Sequence, residues 1–243
     1  MKKNNYYDYS KPIKLLGNTN NFIYFFLCTI IILIIATFYL ILQIIDTDIQ
    51  QGDNYLIIYI HVPSAWLSIL IYILISLTSL IFLITKNPLI DIFTKTGLII
   101  GILFTSITLI TGSLWGKPMW GTYWVWDARL TSVLVLFFIY LINIFINNIS
   151  NNKIKNSTIT SIFILIGLIN IPIIKLSVEW WNTLHQPSSL SQYNSNIHIS
   201  MLIPIIYMIL AFLLIFILIL ILYLRRLILL RKISFYGEYN SIG

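Results

Sequence analysis

Six apolar stretches, each close to twenty residues long, constrain this chain of 243 residues more than any other feature. A bilayer core of about 30 Å needs about 20 apolar residues per helix, and the stretches run Phe22 to Ile45, Pro63 to Ile84, Thr96 to Leu114, Ala128 to Ile146, Ser157 to Val178 and Met201 to Leu224. The fold class they predict is an all-α integral membrane protein with six transmembrane helices, read as a single membrane domain over residues 1–243. Composition agrees: 58% of residues are hydrophobic and 9% charged, against roughly 25% charged in a soluble domain. A soluble enzyme, a disordered chain and a nucleic-acid binder are all excluded. The first apolar run is too long for a secretory signal and lacks a small-residue cleavage site, so it reads as a retained anchor.

Two prolines set expectations about helix geometry. Pro63 fits the first position of the second helix, where its missing N–H costs nothing, which leaves His61 just outside that helix. Pro172 and Lys175 predict a kink toward the outer end of the fifth helix, with the lysine snorkelling to the interface.

Six helices place both termini on one side, and the cations choose it. Lys2, Lys3, Lys11, Lys14, Lys86, Lys95, Lys153, Lys155, Arg225, Arg226, Arg231 and Lys232 make twelve of the 15 lysines and arginines, all on the side of the termini. Lys117, Arg129 and Lys175 are left for the other side, together with Asp46, Asp48, Asp53, Asp127 and Glu179. The positive-inside rule turns both termini toward the cytoplasm, or the matrix of a mitochondrion. The net charge of +7 is thereby a topology signal.

Membrane proteins ordinarily divide their tryptophans between two interfacial belts. Here Trp66, Trp115, Trp120, Trp124, Trp126, Trp180 and Trp181, with His61, His185 and His198, all fall at outer helix ends or in outer loops. Tyrosines are spread more evenly, with Tyr6, Tyr7 and Tyr9 inside and Tyr55, Tyr59, Tyr123 and Tyr193 outside. Interfacial anchoring alone explains such one-sided tryptophans poorly; a ligand on the outer face explains them better. The densest segment spans 115–129, between the third and fourth helices. Gly116, Pro118 and Gly121 break any long helix there, predicting a structured loop at the membrane surface. Were Trp120 to Asp127 to coil into a short helix, Trp120, Tyr123, Trp124 and Asp127 would share a face at i, i+3 and i+4 spacing. Such a shelf suits a large planar apolar ligand with anionic substituents near Lys117 or Arg129, and a metalloporphyrin fits that description.

Asp127 also suits the cap of the fourth helix, a role compatible with positioning a ligand. Arg129 cannot pair with Asp127 along a helix face, so lipid headgroups or a ligand carboxylate are its candidates, with Glu179 a possible partner for Arg129 or Lys175. His61 and His185 each sit beside an aromatic element, and two imidazoles on opposite sides of haem iron make a six-coordinate centre. His198 lacks aromatic company and reads as a loop or interfacial residue. Zinc is the weaker metal, because no local cluster has zinc-ligand spacing. Cys28 is the one cysteine, which excludes a disulfide, a CxxC pair and a CxxCH site. Gly112 to Pro118 lacks the spacing and the Ser/Thr of a phosphate loop, so ATP-driven work falls to a partner.

The segment WGKPMWGTYWVWDARLTS, Trp115 to Ser132, resembles the tryptophan-rich "WWD" signature of the haem-handling proteins of cytochrome c maturation, and among them the haem exporter protein C family. The resemblance extends to QQGDNYLIIYIHVPSAW around His61 and LIGLINIPIIKLSVEWWNTLHQ around His185, covering about Gln50 to Gln186. It implies a haem-presenting subunit of an ABC-type complex in a bacterial or mitochondrial inner membrane, without a catalytic site of its own. The implied partners are an ABC-type ATPase subunit, a second membrane subunit, a small accessory membrane protein, and a membrane-anchored haem chaperone that receives the haem. His61 and His185 match the family's axial ligands to non-covalent haem b. Trp115, Trp120, Trp124, Trp126 and Asp127 match its haem-binding and chaperone-docking loop. Tyr123 stands where the pattern commonly has another tryptophan. A haem lyase that ligates haem to apocytochrome shares the signature, but such relatives are larger with more helices. A transporter would carry ionisable residues inside several spans, and these are nearly uncharged.

Overall fold

The computed structural model describes residues 10–43, 51–149, 152–181, 183–185 and 198–240. Lys2, Lys3, Tyr6, Tyr7, Tyr9, Ile45, Asp46, Asp48, Gln50, Gln186 and Tyr193, used above, lie outside the described residues. The elements are α1 Ser10–Leu42, a 3-10 turn Asp53–Ile57, α2 Ile58–Thr85, α3 Pro88–Trp120, α4 Ala128–Ile146, α5 Lys153–Gly167, α6 Asn170–Trp180 and α7 Ile199–Asn240. Among the described residues six segments are long and apolar enough to cross a membrane, with α5 and α6 together forming the fifth.

The helices begin where backbone donors find caps. Asn87 accepts from Leu89 N at 2.9 Å ahead of Pro88, and Asn152 accepts from Lys155 N at 3.0 Å. Lys86, in the left-handed region at φ 51°, turns the chain between α2 and α3.

α2 and α3 form the centre. Small polar side chains, Ser64, Ser68, Ser76 and Ser79 on α2 and Thr94, Thr105 and Thr108 on α3, are all buried. Hydroxyls survive in hydrocarbon by returning to carbonyls of their own helix: Ser76 donates to Tyr72 O, Thr105 to Gly101 O and Thr108 to Phe104 O. Thr108 also meets Ser64 Oγ at 3.1 Å. Ile71, Tyr72, Leu98, Phe104, Leu136, Tyr140 and Ile164 make the apolar core. Glycines let the tyrosines in, since a Cβ on Gly101 would strike the ring of Tyr140 and one on Gly167 the hydroxyl of Tyr72. α1 packs on α7, and a second cluster of Tyr55, Tyr59, Ile205 and Met208 joins the start of α2 to α7.

Three local expectations change. His61 lies inside α2, as its fourth residue, and Pro63 is the sixth. The buried Tyr55 and Tyr59 fix the 3-10 turn and the first helical turn upstream, so packing decides the start and Pro63 is carried within it. Second, α3 continues through Gly116 and Pro118 to Trp120, ending at Gly121, which takes the left-handed φ of 77° and donates to Lys117 O at 3.0 Å. Gly116 leaves room for the Trp120 ring, 3.0 Å from where a Cβ would stand, so a small residue here seats the last turn. The segment 121–127 is accordingly not helical, and Trp120, Tyr123, Trp124 and Asp127 do not share a helix face.

The third change is in the fifth span. The predicted kink exists, but as a full break at Leu168–Ile169, one turn before Pro172. A proline disturbs the residue four before it, here Leu168, whose carbonyl instead accepts from Ile171 N at 3.1 Å. Leu168 N turns to Leu165 O, and Tyr72 Oη donates to Ile164 O at 2.8 Å. Pro172 then sits in the first turn of α6, where it costs little. Lys175 is exposed on α6.

Candidate functional site

One end of the bundle collects the start of α2, the end of α3, the start of α4 and the segment after α6. His61 projects from the first turn of α2 onto α3, where the Thr111 hydroxyl lies 3.0 Å from its Nδ1. Its ring rests against Gly112, where a Cβ would come within 3.0 Å of Cε1. One turn further along α3, the Trp115 indole meets the imidazole edge-on at 5.7 Å between centroids and 76°. Trp115 is itself held, its Nε1–H donating to Gln51 Oε1 at 2.9 Å.

The Thr111 contact has a chemical consequence. A hydroxyl has one hydrogen, and that of Thr111 is directed at Ile107 O, 2.7 Å away. Toward His61 the oxygen is then the acceptor, so Nδ1 carries the imidazole proton and Nε2 carries the lone pair. Outer hydrogen bonds of this kind orient ligating histidines.

Across the site, Arg129 in the first turn of α4 donates from Nη1 to His185 Nδ1 at 3.1 Å. His61 is close enough to both Arg129 and His185 to feel their charges. The two histidines, 124 residues apart in the chain, are therefore brought to one place together with a guanidinium. Glu179, the other partner considered for Arg129, is exposed at the end of α6. Asp127 caps α4 as expected, Oδ1 accepting from Leu130 N at 2.8 Å, while Oδ2 is buried and unpartnered. The α4 start is anchored further by Ser132 Oγ donating to Arg129 O and Asn170 Nδ2 donating to Ser132 O, both at 2.9 Å.

The aromatic residues take separate positions. Trp120 folds back on Gly116, and Trp124 and Trp126 meet edge to face at 5.6 Å. Trp126, 76% exposed, and Tyr123, 56% exposed, stand out from the surface. Trp124 Nε1 is buried without an acceptor. Lys117 is occupied locally, donating to Gly121 O at 3.0 Å with its ammonium 5.3 Å from the Tyr123 ring. Of the two cations considered for an anionic substituent, Arg129 is the one beside the histidines. His198 makes a local contact, its Nδ1 meeting Ser200 Oγ at 2.8 Å at the start of α7.

Thr111, Gly112 and Gln51 belong to this site and sequence reasoning missed them. The signal was available for two: with His61 in a helix facing α3, Thr111 lies four residues before Trp115 and hence on the same face. Gln51 carries no such mark. Among the described residues no three His, Cys, Asp or Glu side chains gather to hold a bare metal ion. The donors that do gather are two imidazoles and a guanidinium, set beside indole rings, which suits a flat metal chelate with acidic substituents.

Comparison with known proteins agrees with the resemblance. The family model described as heme exporter protein C matches residues 5–236. A putative cytochrome c biosynthesis ccmC-like mitochondrial protein of Marchantia polymorpha is 54% identical over 203 residues, covering 84% of this chain and 85% of that protein. The protein of the same description from Arabidopsis thaliana is 47% identical over 196 residues, 81% of this chain and 74% of that one. Heme exporter protein C of Escherichia coli strain K12 is 44% identical over 183 residues, 75% of this chain and 74% of that one. With six membrane-spanning helices and these relatives, the chain belongs to the heme exporter protein C family.

Proposed function

We propose that this protein is the haem-presenting membrane subunit of cytochrome c maturation. It holds non-covalent haem b as cargo between His61 and His185, flanked by the tryptophan-rich segment 115–129, with Arg129 serving a propionate. The observation that carries this reading is the convergence of His61, His185 and Arg129 at the tryptophan-bearing end of the bundle. Trp115, Trp120, Tyr123, Trp124, Trp126 and Asp127 complete the surface, and the exposed Tyr123 and Trp126 offer it to a docking protein.

The chain acts as one six-helix domain, 1–243, in a bacterial or mitochondrial inner membrane. Its termini face the cytoplasm or matrix, and the tryptophan end faces the periplasm or intermembrane space. It hands haem to a membrane-anchored haem chaperone and works beside an ABC-type ATPase subunit, a second membrane subunit and a small accessory membrane protein. It has no catalytic or nucleotide site of its own. The lyase alternative fits less well, because relatives of comparable length are named as exporters.

The test is the absorption spectrum of the protein purified in detergent from haem-replete cells, oxidised and reduced. A six-coordinate low-spin spectrum whose haem extracts into acid acetone is expected. Protein that carries no haem even when isolated with its complex partners overturns the reading and leaves the tryptophan end as a protein-docking surface.

A further inference from the structure

We propose that Arg129 is a latch on His185, drawn off by the acidic edge of the incoming porphyrin, so that the second iron ligand is released only by a substrate bearing free carboxylates. The proposal rests on the two-histidine reading above.

A neutral imidazole has one ring nitrogen with an in-plane lone pair and one with a hydrogen. Guanidinium has donors only and stays protonated. At 3.1 Å from Arg129 Nη1, His185 Nδ1 is therefore the acceptor, and the ring hydrogen is on Nε2. Iron needs the same lone pair. Ligation through Nδ1 requires the guanidinium to leave that atom. Ligation through Nε2 requires the hydrogen to move to Nδ1, where it would point at another donor. By either nitrogen, the contact with Arg129 and a bond to iron exclude each other.

The two histidines are thus unequal. His61, with Nδ1–H turned to Thr111, presents its Nε2 lone pair already. His185 does not until Arg129 moves. The backbone under Arg129 is held by the Asp127 cap and by the Ser132 and Asn170 hydrogen bonds, so the side chain is what swings. A carboxylate is the partner that would draw it: guanidinium pairs with an oppositely charged carboxylate through two parallel bonds, in place of the single bond it gives a neutral imidazole. Haem carries such carboxylates as its propionates. The exclusion orders two events: a propionate takes Arg129 before His185 closes on the iron, while His61 is ready throughout. Arg129 is in this account a positioning residue that makes loading depend on the porphyrin's acid groups.

The experiment compares haem with its dimethyl ester, each added to the haem-free full-length protein in detergent and read by absorption and electron paramagnetic resonance. Haem is expected to give the low-spin six-coordinate form, and the ester a high-spin form held by His61 alone. In Arg129→Ala the latch is absent, and the ester is expected to become low-spin. A low-spin wild-type complex with the ester overturns the latch while the two-histidine reading stands. An ester that does not bind overturns it too, because His61 needs no propionate. If haem itself gives no low-spin form that depends on His61 and His185, the underlying reading has failed instead. A second measurement needs no haem: diethyl pyrocarbonate attacks the imidazole lone pair, and its modification of His185, followed by mass spectrometry, is expected to be several-fold faster in Arg129→Ala than in the wild type. Equal rates contradict the latch.

Discussion

The hydroxyl of Thr111 accepts from Nδ1 of His61 across 3.0 Å, and this one contact decides which nitrogen of His61 faces outward with a lone pair. Removing the hydroxyl without changing side-chain shape, in Thr111→Val, frees the ring to take either tautomer. Loss of an outer hydrogen bond of this type lowers metal affinity by about tenfold or more. Spectroscopic titration with haem is expected to show that loss in Thr111→Val and near wild-type affinity in Thr111→Ser. Equal affinities in all three would remove Thr111 from the site.

Asp127 separates two roles by its two oxygens. Oδ1 caps α4, and asparagine caps as well as aspartate, whereas alanine loses about 1 kcal/mol of helix stability. Thermal unfolding in detergent is expected to place Asp127→Asn near the wild type and Asp127→Ala below it. If Asp127→Asn melts as low as Asp127→Ala, the carboxylate charge and not the cap is what holds the start of α4.

The break between α5 and α6 depends on Tyr72 reaching Ile164 O through the space left by Gly167. Gly167→Ala overpacks this point, at a cost of about 1–3 kcal/mol. Tyr72→Phe alone gives up one hydrogen bond, about 1 kcal/mol. Because the Tyr72 hydroxyl is the atom nearest the added methyl group, the double variant is expected to lose less than the two single losses combined. Strict additivity in the melting data would place the strain of Gly167→Ala elsewhere, on Ile139, whose Cγ2 lies 2.9 Å from the added atom.

Orientation is testable with the single cysteine removed. In a Cys28→Ser background, Thr122→Cys and Ile149→Cys place thiols at opposite ends of the bundle, on exposed positions beyond α3 and α4. A membrane-impermeant maleimide applied to cells whose inner membrane is intact is expected to label position 122 and to reach 149 only after permeabilisation. The reverse pattern would invert the topology drawn from the lysines and arginines.

The membrane spans and the gathering of aromatic and histidine residues were legible because they depend on local composition. What was not legible follows from contacts distant in sequence. Pro63 reads as a helix start by its own chemistry, yet Tyr55 and Tyr59, packed against Ile205 and Met208, set the start earlier and bring His61 into the helix. Gly116 and Pro118 read as breakers, yet α3 runs through both to Trp120, and Gly116 serves to seat the Trp120 ring. His61 and His185 could be paired because each sits beside an aromatic element in the sequence, and the family resemblance agrees with that pairing. That Arg129 would meet His185 and not an acid could not be read from either segment, because 56 residues and a broken helix separate them.

The most direct test of the account is the haem spectrum of His61→Ala, His185→Ala and His198→Ala beside the parent, each with and without added imidazole. The account predicts that the first two lose the low-spin six-coordinate form and regain it with imidazole, which fills the vacated position, and that His198→Ala matches the parent. A parent spectrum unchanged by His61→Ala and His185→Ala, or one lost in His198→Ala, would contradict it.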